Sequence, residues 1–364
     1  MSFEYFLILV TIVYTTQMGV LLLGVRRGRD ARGNAQPTVT VVIAARNEEA
    51  SIRACLSSVL NQTYPKDRYS VIVANDGSSD STQAICNEFV AKGTALSTFY
   101  VAEETTRAGK SNALAQAIDR ATGEVILITD ADCTVPETWV EETARRYSSD
   151  EVGLVGGITL QQCASPFSGM QSLDWAFILG AAVANASWGN LLGSIGNNLS
   201  FRKKAYDAIG GYRNVPFSVT EDYALVQAIA KTRRWKYLYP LDKKLLVMSK
   251  ACPDLLTLVR QKHRWGKGGL DMKFSGFLLL AITGLMHLSP LVVLYWGKFI
   301  LASFCVLVKM TIDYTFLDSI LTRLDRGDQL KYFFWFEMYY LVYAIVIPFL
   351  ALFGGTVVWK GRNY

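Results

Sequence analysis

A chain of 364 residues is long enough for one or two packed domains with a sizeable core. It is 51% hydrophobic and only 19% charged, and the apolar residues collect at its two ends, which is the pattern of a membrane protein rather than a soluble one. The formal net charge of +6 is modest and no nucleic-acid module is recognisable, so the basic clusters at 26–32, 202–204, 231–236 and 260–267 point to lipid headgroups or ligand phosphates, or to a solvated face. Six cysteines (55, 86, 133, 163, 252 and 305) include no Cys-x-x-Cys pair, and only His263 and His287 accompany them. That excludes a zinc ribbon and fits scattered thiols in a reducing compartment.

Residues 5–25 form a run of roughly 20 apolar or weakly polar residues, enough to cross a bilayer. No lysine or arginine precedes it, whereas Arg26, Arg27, Arg29 and Arg32 follow. A secretory signal would carry its charge in front. The run therefore reads as an uncleaved anchor with its N-terminus outside, and the chain after it begins in the cytosol. Residues 39–45, Val-Thr-Val-Val-Ile-Ala-Ala, are short, apolar and β-branched, as a strand buried on both faces requires. Ile52, Cys55, Leu56, Val59 and Leu60 share one helix face. A second strand is expected at 70–75, with Ser78, Ser79 and Asp80 as helix-start residues after it. Helical spacing returns at Ala113, Leu114, Ala117, Ile118 and Ala121, before a further buried strand at 125–129. Strand and helix alternating at this pitch predict a doubly wound, mostly parallel sheet.

Beyond Lys250 the character changes. Residues 252–269 are amphipathic and basic, suited to a helix along a membrane surface, with 266–269 as a mobile loop or a helix stop. Apolar runs follow at 277–296, 299–316 and 333–358, giving about four spans in all, of which one of the last three could be interfacial. Parity places Arg323, Arg326 and Lys331 inside, as the charge rule prefers, but Lys360 and Arg362 outside. Lys309 and Asp313, one turn apart, are the charges buried in the apolar part.

Ligands of an open parallel sheet bind beyond the carboxyl ends of its strands. Acidic residues stand there twice, in Asn75-Asp76-Gly77-Ser78 and in Thr129-Asp130-Ala131-Asp132. One such Asp is commonly a turn former or a helix cap, but Asp76, Asp130 and Asp132 would converge on one rim. Carboxylates at i and i+2 can hold a hard divalent cation together with substrate phosphates.

Further pieces complete a pattern: Ala45-Arg46-Asn47-Glu48, Arg107-Ala-Gly-Lys110-Ser-Asn112-Ala-Leu114, Gly196-Asn197-Asn198 with Phe201-Arg202, Thr220-Glu221-Asp222, and Gln261-Lys-His-Arg264-Trp265. In this order, across about 37–269, the chain resembles the membrane-integrated branch of family 2 glycosyltransferases with the GT-A fold. The resemblance implies that Glu48 and Asp76 hold the base and ribose of a nucleotide lined by the Ala45 and Arg46 backbone. It implies that Lys110 approaches the nucleotide or its phosphates, that Asp130 contacts the donor, and that Asp132 binds a divalent metal, magnesium or manganese. Asp222 becomes the base that deprotonates the acceptor hydroxyl, with Glu221 beside it. Arg264 helps neutralise the leaving diphosphate, while Gln261 and Trp265 shape the acceptor end. Trp265 could equally be an interfacial anchor. The first motif lacks the proline and aromatic residue of many relatives, which bears on the detailed base contacts.

The expected organisation is an anchor at 1–35, a cytosolic GT-A domain at 36–250, an interfacial segment at 251–274 and a transmembrane region at 275–364, in a bacterial cytoplasmic membrane. One base and one displacement imply inverting transfer. A uridine diphosphate sugar is the expected donor, and a membrane lipid the expected acceptor because the membrane part is small and the tail at 358–364 resembles that of lipid-directed relatives. Processive polysaccharide synthesis is the alternative. A nicotinamide enzyme would need Gly-x-Gly-x-x-Gly after the first strand, where Ala-Arg-Asn-Glu stands. A transporter would carry its ionisable residues inside the spans. A non-catalytic scaffold of the same fold would have no need of Asp130, Asp132, Asp222 and Arg264 together.

Overall fold

The computed structural model describes residues 3–28, 30–104, 109–356, 358–359 and 362–363, with side chains to Thr356. Of the residues singled out in the sequence, Arg29, Arg107, Lys360 and Tyr364 lie outside the described ones.

In chain order the first half contains α1 (Phe3–Arg27), β1 (Val39–Ala45), α2 (Ile52–Leu60), β2 (Tyr69–Asn75), α3 (Thr82–Ala91), β3 (Leu96–Tyr100), α4 (Lys110–Arg120), β4 (Val125–Asp130), β5 (Cys133–Thr134), α5 (Trp139–Arg145), β6 (Val152–Gly156), β7 (Thr159–Gln161) and α6 (Pro166–Ser187). After a 3-10 turn at Gly196–Asn198 come β8 (Leu199–Arg202), α7 (Lys203–Asp207), α8 (Gly211–Asn214), α9 (Glu221–Lys231), β9 (Lys236–Leu238) and β10 (Val247–Ser249). Helices α10 (Leu255–Gly269), α11 (Phe274–Tyr295), α12 (Phe299–Leu321) and α13 (Phe333–Phe353) and the short β11 (Val358–Trp359) and β12 (Arg362–Asn363) complete it. The chain divides into two compact units, one of residues 29–160 and 193–250, the other of 1–28, 161–192 and 251–364.

The first unit is built on a seven-stranded sheet ordered β3-β2-β1-β4-β8-β6-β9. Strands β3, β2, β1 and β4 run parallel, and β8 enters antiparallel to both β4 and β6. β1 is central because nearly every residue of Val39–Ala45 is buried, and only such a run can be covered on both faces. Ile52, Cys55, Leu56 and Val59 of α2 pack with Val41, Ile43, Val71 and Val73 in one core. Each fully buried Val, Leu or Ile there contributes about 1.5–3 kcal/mol. A small second sheet, β5-β10-β7, lies in the order of its strands as given.

The second unit is helical. Among the described residues four helices are long and apolar enough to cross a membrane: Phe3–Arg27, Phe274–Tyr295, Phe299–Leu321 and Gly327–Phe353. All three C-terminal runs therefore meet the length and composition of a span, including the one the sequence left open as interfacial. Segment 161–192, read in the sequence as part of 36–250, groups with these helices. Its helix α6 begins in a capping box, with Ser165 accepting from the Ser168 amide and Pro166 at the first position. It is buried along most of its length, and Phe177 packs within 6 Å of Phe316, Phe336 and Tyr340. Helix α10 starts on Asp254, whose carboxylate accepts from the Thr257 amide at 2.8 Å. It then runs through Gly269 and ends there, so 266–269 is the helix's last turn and stop rather than a loop, and glycine is favoured at 266. The reason is close approach: a Cβ at Gly266 would stand 3.1 Å from Ala351 Cβ and 3.3 Å from Ile347 Cγ2 of α13.

Candidate functional site

Parallel pairing in register puts the carboxyl ends of β1, β2 and β4 side by side. Ala45 faces Asn75 on one flank, and Ala44 faces Asp130 on the other. The loops that follow β1 and β2 interlock. The Asp76 amide donates to Ala45 O at 2.8 Å, and Arg46 Nη1 donates to Asp76 O at 2.7 Å. Asn47 takes a left-handed φ of 52°, which asparagine tolerates better than most residues. Its amide donates to Ser78 Oγ at 3.0 Å and its Oδ1 accepts from the Ser79 amide at 2.9 Å. The Glu48 amide donates to Thr82 Oγ1 at 2.7 Å. Gly77 sits at φ +68°, the turn conformation that lets Asp76 leave the sheet edge. Ala45, Arg46, Glu48 and Asp76 are thus held in one double loop by backbone bonds and by the Arg46, Asn47, Ser78 and Thr82 side chains.

The last residue of β4 meets the first residue of α4. Lys110 Nζ lies 2.5 Å from Asp130 Oδ1 and 3.3 Å from Glu221 Oε1, the opening residue of α9. Burial opposes the charge on Lys110, but Asp130, Glu221 and Asp222 outweigh it and raise its pKa above the ordinary value. The ammonium therefore persists at neutral pH. Asp132 is half-buried just beyond, accepting from Cys133 Sγ at 3.4 Å. The Cys55 and Cys133 thiols are pushed up by burial and then by the charges of Asp132 and Asp130, so they are neutral and unsuited to nucleophilic work.

Asp222 is seated against a glycine. A Cβ on Gly196 would lie 3.1 Å from Asp222 Cβ and 3.2 Å from its Oδ2. Its Oδ1 accepts from the Tyr223 amide at 2.8 Å, so the start of α9 fixes the carboxylate. The rest of the Gly196-Asn197-Asn198 piece is scaffold. Asn197 Oδ1 accepts from Thr159 at 2.7 Å, and Asn198 bonds Trp139 Nε1, Ile158 O and Leu245 O. Arg202, buried, donates to the carbonyls of Val152, Tyr147 and Ser149.

Among the described residues no group of three or more His, Cys, Asp or Glu could hold a metal ion unaided. The donors at hand are carboxylate oxygens, and Asp130 already answers Lys110. That set fits a hard cation such as Mg²⁺ or Mn²⁺ held by Asp132 and completed by phosphate oxygens.

Gln261, Arg264 and Trp265 belong to the helical unit, on α10. The Trp265 ring lies 5.4 Å from that of Trp175 on α6, and Lys262 Nζ stands 4.0 Å from its centroid. Sequence reasoning passed over Lys262 and its buried partner Asp174. The signal was a single acid inside the apolar stretch that became α6. Lys309 and Asp313, flagged as buried charges, meet at 2.8 Å, and two residues unremarked in the sequence join them: Glu337 pairs with Lys309, and Tyr14 donates to Asp313 at 2.5 Å.

A parallel four-stranded half-sheet with an antiparallel continuation, and two interlocked loops beside a cluster of acids, make up a GT-A-type fold. Residues 40–210 match the family Glycosyl transferase family 2. Over 271 residues, 70% of the chain, it is 27% identical to the beta-monoglucosyldiacylglycerol synthase of Trichormus variabilis. The match covers 55% of that relative, so the chain spans about half its length. It is 25% identical over 291 residues to the poly-beta-1,6-N-acetyl-D-glucosamine synthase of Staphylococcus epidermidis, covering 77% of this chain and 68% of that one. The mannosyltransferase PcManGT of Pyrobaculum calidifontis, solved with GDP-Man and Mn2+, superposes with a TM-score of 0.60 over 95% of this chain and 99% of its own. At 20% identity that likeness concerns the fold.

Proposed function

We propose that the protein transfers a sugar from a nucleotide diphosphate sugar, a uridine diphosphate donor first among them, to a hydroxyl of a membrane lipid or lipid-linked acceptor. The observation that carries the reading is the convergence of Lys110, Asp130, Glu221 and Asp222 at the carboxyl ends of the parallel strands. In it the Ala45–Glu48 and Asp76 loops take the base and ribose, Lys110 and Asp130 the donor, and Asp132 a divalent cation. The cation, when bound, offsets the charge that grows on the leaving diphosphate.

Asp222 accepts the acceptor's proton as its oxygen attacks the anomeric carbon. The bond from that carbon to the diphosphate breaks in the same displacement, and the nucleoside diphosphate leaves. One displacement inverts the anomeric centre and needs no covalent enzyme intermediate. Arg264 is assigned to the leaving group, and Glu221, Gln261 and Trp265 to the acceptor, by the motifs they stand in.

The similarity to a glucosyldiacylglycerol synthase supports a lipid acceptor. The similarity to a poly-N-acetylglucosamine synthase favours the second reading, processive polysaccharide synthesis. Four apolar helices support a membrane location, and the charge rule orients the sheet domain to the cytosol of a bacterial inner membrane. Protein in nanodiscs given labelled nucleotide sugars and source lipid tests the acceptor. Label in one organic-soluble species supports the lipid reading, and a large water-soluble product cut by glycosidases overturns it in favour of the polymer.

A further inference from the structure

The strongest unexplained feature lies in the helical unit. Lys262 and Asp174 form an ion pair with both side chains within 2% of full burial. Such a pair is poor value for stability alone, because desolvating two charges offsets most of their attraction, and apolar residues of similar size often serve as well. Its surroundings are specific. Lys262 Nζ lies 4.0 Å from the centroid of Trp265 and 5.6 Å from that of Tyr343 on α13. Tyr339, one turn before Tyr343, donates to Asp174 Oδ2 at 3.4 Å. Trp175, next to Asp174, packs against Trp265 with ring centroids 5.4 Å apart. Asp174 Oδ1 and Trp175 Nε1 are buried without hydrogen-bond partners among the described residues, so the site tolerates unmet polar groups to keep this arrangement.

We propose that Lys262 and Asp174 are positioning residues: the pair pins α10 to α6 and α13 and holds the Trp265 ring over the Lys262 ammonium, fixing the face that presents Gln261 and Trp265 to the acceptor and Arg264 to the leaving group. A cation beneath an indole constrains both groups, and a desolvated one does so most strongly. Lys262 lies between Gln261 and Arg264 in sequence, yet on the helix it points into the junction, so it can orient the motif without touching substrate. The inference rests on the roles proposed for Gln261 and Trp265 at the acceptor and for Arg264 at the leaving diphosphate.

The test uses the full chain in nanodiscs of source-cell lipid, with uridine diphosphate sugars and GDP-mannose as labelled probes. Lys262→Met with Asp174→Leu removes both charges and keeps volume, so it should fold where either single change leaves a buried charge unpaired. Expected are an unfolding temperature near wild type, nucleotide affinity within about twofold, and label transfer lowered by about tenfold or more. Faster amide exchange across 255–269 should accompany the loss. The swapped pair, Asp174→Lys with Lys262→Asp, restores the ion pair but sets a carboxylate under Trp265, and it should fold yet stay slow. Wild-type transfer and exchange in either folded variant would overturn the proposal. Trp265→Ala and Arg264→Ala separate the two failures. If these leave transfer intact, the roles proposed for the α10 motif are themselves wrong. If they abolish it while both pair variants remain active, only the positioning role is. Amide exchange reads the pinning even where no probe sugar is transferred.

Discussion

Lys110 and Asp130 meet at 2.5 Å where the first residue of α4 faces the last residue of β4. The contact ties the Arg107–Leu114 motif to the Asp130-Ala-Asp132 motif, and Glu221 at 3.3 Å ties both to the start of α9. Three pieces of sequence far apart in the chain thereby share one ammonium.

Lys110→Met should leave Asp130 and Glu221 facing each other without compensation. Both are partly buried, so like-charge repulsion between them loosens the site. Sugar transfer should fall by about 10–100-fold, with a weaker nucleotide affinity read by calorimetry. Wild-type affinity and rate would show that the lysine is structural only.

Gly196→Ala sets a methyl 3.1 Å from Asp222 Cβ and 3.2 Å from Oδ2, so the carboxylate must move by a few tenths of an ångström. A misplaced base slows transfer far more than it weakens donor binding. Expected is a turnover number down about tenfold with nucleotide affinity unchanged, measured on the same preparation.

The sheet unit also carries a pH-dependent clamp. Burial pushes Asp242 up, but the Lys244 amide and the Arg146 and Arg32 guanidiniums outweigh it and hold its carboxyl below the ordinary value. Arg146 is fully buried and reaches Asp242 at 2.8 Å, as does Arg32. A depressed carboxyl contributes stability that is fully present above its unfolded pKa of about 3.9 and is lost as pH falls through the folded value. Scanning fluorimetry should therefore show a falling unfolding temperature below about pH 4. Arg146→Met should weaken that dependence and cost about 1–3 kcal/mol at neutral pH, because Asp242, Asp30 and Glu142 lose their buried partner and keep only the more exposed Arg32, Arg145 and Lys244.

Much of this architecture was legible in the sequence. Val39–Ala45 announced itself because a strand covered on both faces must be apolar throughout, and Asp76 and Asp130 stood out because they end such strands. What escaped is long-range. β8 is four residues, too short to display a period, and its antiparallel entry depends on partners on either side. Asp174 reads as one polar residue in α6 until folding brings Lys262 to it. Lys309 and Asp313 were visible at i and i+4, while Glu337 and Tyr14 come from other helices, which no local pattern specifies.

That buried quartet sets a further expectation. Lys309→Leu leaves Asp313 and Glu337 unpaired among apolar helices, and removing one partner of a buried pair costs about 3–5 kcal/mol. The variant should extract from membranes with a markedly lower unfolding temperature. Adding Asp313→Leu and Glu337→Leu, which removes the stranded acids, should recover most of the loss.

The central claim is glycosyl transfer with Asp222 as its base. The measurement is transfer of label from a nucleotide diphosphate sugar by the full chain in nanodiscs with Mn²⁺ or Mg²⁺, compared with Asp222→Asn, alongside nucleotide binding by both. Product is expected from the wild type, none from Asp222→Asn, and equal nucleotide affinity from both. Undiminished transfer by Asp222→Asn, or no transfer by the wild type from any donor it binds, would contradict the claim.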